Sequence, residues 1–122
     1  TGYETLEFLS SIRNTINKSH INDALKRVGL YDFKDMLVKK YSLGMKQKLA
    51  IAQAIMEDPA ILLFDEPTNS LDDEGVDIFK KIVKEEREKG KIVIIVSHNI
   101  EDVVDICDKT LFLKNQCLNE VD

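Results

Sequence analysis

The run Ala60-Ile61-Leu62-Leu63-Phe64, set between Asp58-Pro59 and the carboxylates Asp65-Glu66, constrains the fold of this chain more than any other stretch. Five apolar residues in a row suit a strand covered on both faces, as in the parallel sheet of an α/β protein. Pro59 stops any helix arriving from upstream, and Pro67 closes the strand behind the acids. Open α/β sheets place their ligands at the carboxyl ends of strands, where Asp65 and Glu66 stand. Adjacent acids there can divide two roles: one holds a cation such as Mg²⁺ through water, and the other orients or deprotonates a nucleophilic water. An acidic strand-to-turn junction closed by Pro67 would carry the same letters, and the triplet alone does not separate the readings.

Upstream, Ser42-Leu43-Gly44-Met45-Lys46-Gln47 reads as a small-residue loop opening a helix. The first helical amides lack partners within the helix and sit at the positive end of its dipole, so this start can hold an anion such as phosphate. Ser42 is a favoured N-cap type, and Gly44 permits close approach to the backbone. Leu49, Ala52, Ile55 and Met56 form the helix's apolar stripe, which ends at Asp58-Pro59.

Before this, residues 1–14 carry a helical pattern in Leu6, Leu9 and Ile12, with Thr1 or Thr5 as possible caps. A second helix is expected from about His20 to Val28, capped by Ser19 and stopped by Gly29. Residues 30–40 read as a short helical turn and an extended approach. After Pro67 the pattern alternates in the βαβ manner. A long helix capped by Asp72 or Asp73 reaches about Lys89, with Val76, Phe79, Ile82 and Val83 inward and Glu85 to Lys89 as a solvated end. Ile92 to Val96 is a second buried strand, parallel to the first through a right-handed crossover. A short helix over Ile100 to Cys107, with Asn99 as possible N-cap, and a strand at Thr110 to Lys114 follow. A hairpin turn at Asn115-Gln116 leads to Cys117-Leu118, although Gln116 replaces the Gly such turns favour.

Composition excludes several classes. The chain has 122 residues, 43% hydrophobic and 32% charged, which is one domain's worth of soluble globular sequence. Its net charge of −5 argues against nucleic acid as partner. Cys107 and Cys117 form no CxxC pair and read as reduced thiols, and the two histidines and two cysteines lack zinc-ligand spacing. No apolar run approaches the roughly 20 residues of a membrane span. His98 follows the second strand on the same sheet edge as Glu66, where an imidazole could donate to a phosphate or hold a water; a local hydrogen-bond role is the plainer reading for an isolated histidine. His20 has no assigned role.

The stretch Tyr41 to Asp72 resembles the nucleotide-binding domain of ABC-type ATPases. Tyr41 to Gln47 is similar to the signature loop, Ile61 to Glu66 to the Walker B strand, Asn69-Ser70-Leu71-Asp72 to the D-loop, and Ser97-His98 to the switch histidine. The resemblance implies an α/β P-loop NTPase fold of the RecA-like, ABC type: a helical signature subdomain at 1–57, then a partial parallel sheet with helices at 58–122. It implies ATP and Mg²⁺ as cofactors and a head-to-tail pair of nucleotide-binding domains. Ser42, Leu43, Gly44, Met45 and Gln47 would bind the nucleotide held by the opposite subunit. Asp65 would position Mg²⁺, Glu66 would act as general base, His98 would contact the γ-phosphate, and Asp72 would communicate across the dimer. The implied partner is a transmembrane permease, through which alone a cytoplasmic, peripheral subunit on the inner face of the cell membrane would touch that membrane. Leu43 and Met45 depart from the commonest signature, and Lys48 and Gln53 stand where Arg is frequent. The Ser-Leu-Gly-Met-Lys-Gln form resembles the branch exporting peptide antibiotics such as bacitracin or lantibiotics.

The 122 residues contain no G-x-x-x-x-G-K-[ST] loop: at the one Gly-Lys, Gly90-Lys91, Glu85 takes the first glycine position and Ile92 the Ser/Thr position. The sequence therefore resembles the C-terminal half of such a domain, starting just after the glutamine loop, and is expected neither to bind nor to hydrolyse ATP by itself. In the family the P-loop strand lies beside the strand ending at the switch histidine. Ile92 to Val96 is thus expected to be an open edge that self-associates, unless the last strand folds differently. Two other classes compete with a transporter subunit. A soluble ABC ATPase acting on ribosomes or DNA is disfavoured by the acidic balance and the single motif set. A silent interaction module is disfavoured for the parent protein by the intact Asp65, Glu66 and His98, and favoured for this chain by the missing P-loop.

Overall fold

The computed structural model describes residues 1–13, 18–114 and 117–121. Three helices come first: α1 (Gly2–Arg13), α2 (Lys18–Val28) and α3 (Leu43–Met56). Thr1 caps α1, its hydroxyl accepting from the Glu4 amide at 3.0 Å. α2 begins at Lys18, so Ser19 lies within its first turn instead of capping it. Gly29 stops it in the left-handed region at φ 81°. The approach to α3 holds two 3₁₀ turns, Tyr31–Phe33 and Val38–Lys40. It is pinned by buried Tyr41, whose hydroxyl donates to the Phe33 carbonyl at 2.7 Å. α2 and α3 pack through Ala24, Leu25, Val28, Leu49, Ala52 and Ile55, all buried.

The second half is β1 (Ile61–Asp65), α4 (Asp73–Glu88) and β2 (Ile92–Val96), with the strands parallel in the register Ile61↔Ile92 to Asp65↔Val96. One apolar stripe of α4 covers the sheet. Phe79 and Ile82 are fully buried, and the Phe79 ring meets Phe64 edge-on at 5.2 Å between centroids. Coverage is one-sided, which corrects the expectation of strands buried on both faces. Leu62 and Phe64 are buried, whereas Ile61 and Leu63 remain 59% and 65% exposed. On β2, Ile92, Ile94 and Val96 share the open face.

Two further expectations change. The solvated end of α4 contains Glu86, which is 0% exposed. Residues 100–107 form no α-helix but two 3₁₀ turns, Ile100–Asp102 and Val104–Ile106, broken at Val103 (φ −129°), and Asn99 makes no side-chain cap. Ile100, Val103, Val104 and Ile106 are β-branched and lower the α-helical preference; Val103 and Ile106, three apart as a 3₁₀ turn requires, are the two that bury. The chain closes with β3 (Thr110–Lys114) and β4 (Cys117–Val121), paired antiparallel as a sheet separate from β1–β2. The turn expected at 115–116 lies outside the described residues. No helix among the described residues is long and apolar enough to cross a membrane.

Candidate functional site

The carboxyl end of β1 gathers the acids and the histidine. The parallel pairing runs one residue beyond the strand, where the Glu66 amide donates to the Val96 carbonyl at 2.7 Å. This extension sets Glu66 beside Ser97-His98. Both Glu66 oxygens accept from the His98 backbone amide, at 3.1 and 3.2 Å, and Oε1 also contacts imidazole Nδ1. The bonds from the His98 amide and ring hold the Glu66 carboxyl below the usual carboxylate range, against a smaller upward push from burial. Glu66 is therefore ionised at neutral pH, the form that can accept a proton. The His98 side chain is 94% exposed and open to a ligand arriving from solvent.

The backbone is strained here. Glu66 and Ser70 adopt left-handed conformations, at φ 50° and 69°, although neither is glycine. Pro67 and Thr68 between them are buried, and two turn bonds hold the loop: Asn69 amide to Glu66 carbonyl at 3.2 Å, and Leu71 amide to Thr68 carbonyl at 3.1 Å. Asp72 follows and caps α4, its Oδ1 accepting from the Gly75 amide at 2.7 Å.

The start of α3 stands against this loop. The Ser42 hydroxyl accepts from the Met45 amide at 3.1 Å, a true N-cap. A Cβ on Gly44 would lie 2.8 Å from the Ser70 carbonyl oxygen, so only glycine allows this approach. Leu43 is 72% exposed, while Met45 packs on the core and Gln47 is half-buried. The structure thus brings Glu66 and His98 into contact and stands Gly44, two residues into the helix that Ser42 caps, against the adjacent loop. Two features escaped sequence reading: the His98 backbone amide as partner of Glu66, and Ser70 as the surface Gly44 meets. Neither leaves a sequence signal, since both are backbone contacts between distant segments.

Asp65 is exposed on the open sheet face and has no side-chain partner among the described residues. Among those residues no group of three His, Cys, Asp or Glu could hold a metal ion. A Mg²⁺ ion here would take its ligands from water and phosphate, with Asp65 holding it through one of those waters. This ion commonly accepts such a shell, and the donor set fits.

The family model described as ABC transporter matches residues 3–69. An uncharacterized ABC transporter ATP-binding protein of Bacillus subtilis (strain 168), YybJ, is 46% identical over 109 residues, covering 89% of this chain and 50% of its own length. The bacitracin transport ATP-binding protein BcrA of Enterococcus faecalis is 41% identical over 109 residues, 88% of this chain and 35% of its own. Among solved structures, cbiO1 from Clostridium perfringens, part of the ABC transporter complex cbiONQ, superposes with a TM-score of 0.79 at 30% identity, over 98% of this chain and 49% of that one. The chain spans half or less of the length of each.

Proposed function

The chain belongs to the ABC transporter ATP-binding family, and from that premise we propose that it is part of an ATP-hydrolysing subunit that drives a membrane exporter. The observation that carries this reading is Glu66 at the strand end, both of its carboxylate oxygens accepting from the His98 amide. Glu66 would take a proton from the water attacking the γ-phosphate, and His98 would contact that phosphate. Asp65 would hold Mg²⁺ through water, the ion offsetting the charge of the phosphates. The amides at the start of α3, with Ser42, Leu43, Gly44, Met45 and Gln47, would receive ATP bound to a second nucleotide-binding domain, packed head to tail. Asp72 would contribute at that seam, one oxygen being committed to the α4 cap.

Residues 1–57 would act as the helical signature subdomain and 58–122 as part of the ATPase core. The partner would be a transmembrane permease, with this subunit peripheral on the inner face of the cell membrane. The likeness to a bacitracin transport ATP-binding protein supports a peptide antibiotic as cargo. The test is Mg-ATP binding and turnover by the 122-residue chain and by the same chain joined to a P-loop-bearing half. The chain alone is expected to do neither. In the joined protein Glu66→Gln is expected to lower turnover about 10²–10⁴-fold with ATP binding retained. Turnover unaffected by Glu66→Gln in the joined protein would sink the assignment.

A further inference from the structure

Away from the site, a cluster of charges centred on buried Glu86 and Lys91 lies at the seam between the helical layer and α4. Arg27 of α2 donates from Nη1 to Glu86 Oε1 at 2.7 Å, and its Nη2 lies 3.6 Å from Glu85. Glu86, fully buried, also takes Lys89 at 3.4 Å and contacts the ammonium of Lys91, at the start of β2. Lys91 bridges onward to Asp58, which the left-handed backbone at φ 55° presents at the end of α3. The Lys91 side chain is 8% exposed and that of Asp58 73%. The cluster therefore joins four pieces: α2, the α3–β1 link, the end of α4 and the start of β2. Glu86 and Lys91, removed from water to this degree, are costly unless paired, and their geometry is stringent. Ion pairs are directional where apolar contacts are not, so this cluster can fix an angle that Leu25, Val28 and Ile82 alone leave free to slide.

We propose that Arg27, Glu86, Lys91 and Asp58 form an ionic latch, buried at Glu86 and Lys91, that sets the orientation of the helical layer on the sheet layer. The layers meet at two ends. At one, Gly44 rests on Ser70 beside the strand end carrying Glu66; at the other lies the latch. Because α3 packs along α2, a change of angle at Arg27 moves the Ser42 helix start relative to Glu66. Its importance for catalysis rests on the ATPase reading, but the latch itself does not.

The test needs no nucleotide, so its failure is distinguishable from failure of that reading. Spin labels at Glu7→Cys on α1 and Asp77→Cys on α4, with Cys107 and Cys117 replaced by Ser, report the distance between the layers by electron–electron double resonance. Diluted in unlabelled protein, so that only distances within one chain are read, the latched chain is expected to give one narrow distribution. Arg27→Met leaves Glu86 paired with Lys91 and cuts only the tie to α2; it is expected to at least double the width while the melting transition stays cooperative. Lys80→Met, which removes the exposed Lys80–Asp105 pair, is expected to change nothing. If Arg27→Met does not fold, Glu86→Gln, which keeps shape and one acceptor, is read for the same broadening. An unchanged distribution in a folded variant would overturn the latch. So would loss of the fold in both, since the cluster would then hold the layers together without setting their angle.

Discussion

Gly44 illustrates how much a single position can carry. Alanine there gains helix propensity of under about 1 kcal/mol in a first turn. Its Cβ would stand 2.8 Å from a backbone oxygen of a loop that is itself constrained, and such overpacking costs about 1–3 kcal/mol. The second effect wins. Gly44→Ala is expected to lower the melting temperature by about 5 °C, checked by thermal denaturation; an unchanged or higher value would show that the Ser70 loop yields freely. Ser42, Asp65, Glu66 and His98 were legible as candidates because their residue types, at these strand and helix ends, fit phosphate and water chemistry. The positive φ of Glu66 and the His98 amide that holds it were not, since each is imposed by segments some thirty residues apart closing on one another.

At the scale of elements, α4 shows where local pattern misleads. Glu85-Glu86-Arg87-Glu88-Lys89 has the letters of a solvated face, yet Glu86 turns into the seam because Arg27 and Lys91 arrive there from other elements. Burial pushes its carboxyl up, but the bonds from Lys91 and Arg27 outweigh this and hold it below the ordinary value of 4.5. The sign follows from linkage. A carboxylate with a depressed folded pKa contributes stability that is fully present above its unfolded value and is lost as pH falls through its folded one. Unfolding free energy is therefore expected to hold from neutral pH to about 5 and then decline below about 4.5. The Glu86→Gln variant should show a flatter acid limb in urea titrations, and parallel limbs would refute the assignment. Asp58, lowered mainly by its bond with Lys91, adds to the same decline in both proteins.

At the scale of the molecule, the two-stranded parallel sheet has one covered face and one open. Ile61, Leu63, Ile92, Ile94 and Val96 form an apolar surface beside strand edges that are unpaired among the described residues, a combination that favours association. Sedimentation velocity of the chain is expected to show mass rising with concentration, and Ile94→Lys to restore the monomer. A parent chain monomeric at every concentration would contradict this. The antiparallel pair β3–β4 stands apart from the main sheet. The sequence by itself determined the element order, the strand ending in Asp65-Glu66, the capped helix at Ser42 and the α/β class, because each depends on short-range periodicity, caps and breakers. Only the tertiary structure decided which strand faces are covered, that Glu86 is buried, that residues 100–107 form two 3₁₀ turns, and that Glu66 lies on the His98 amide. Those outcomes depend on what distant segments bring to a surface, and apolar letters alone do not say whether a cover is there.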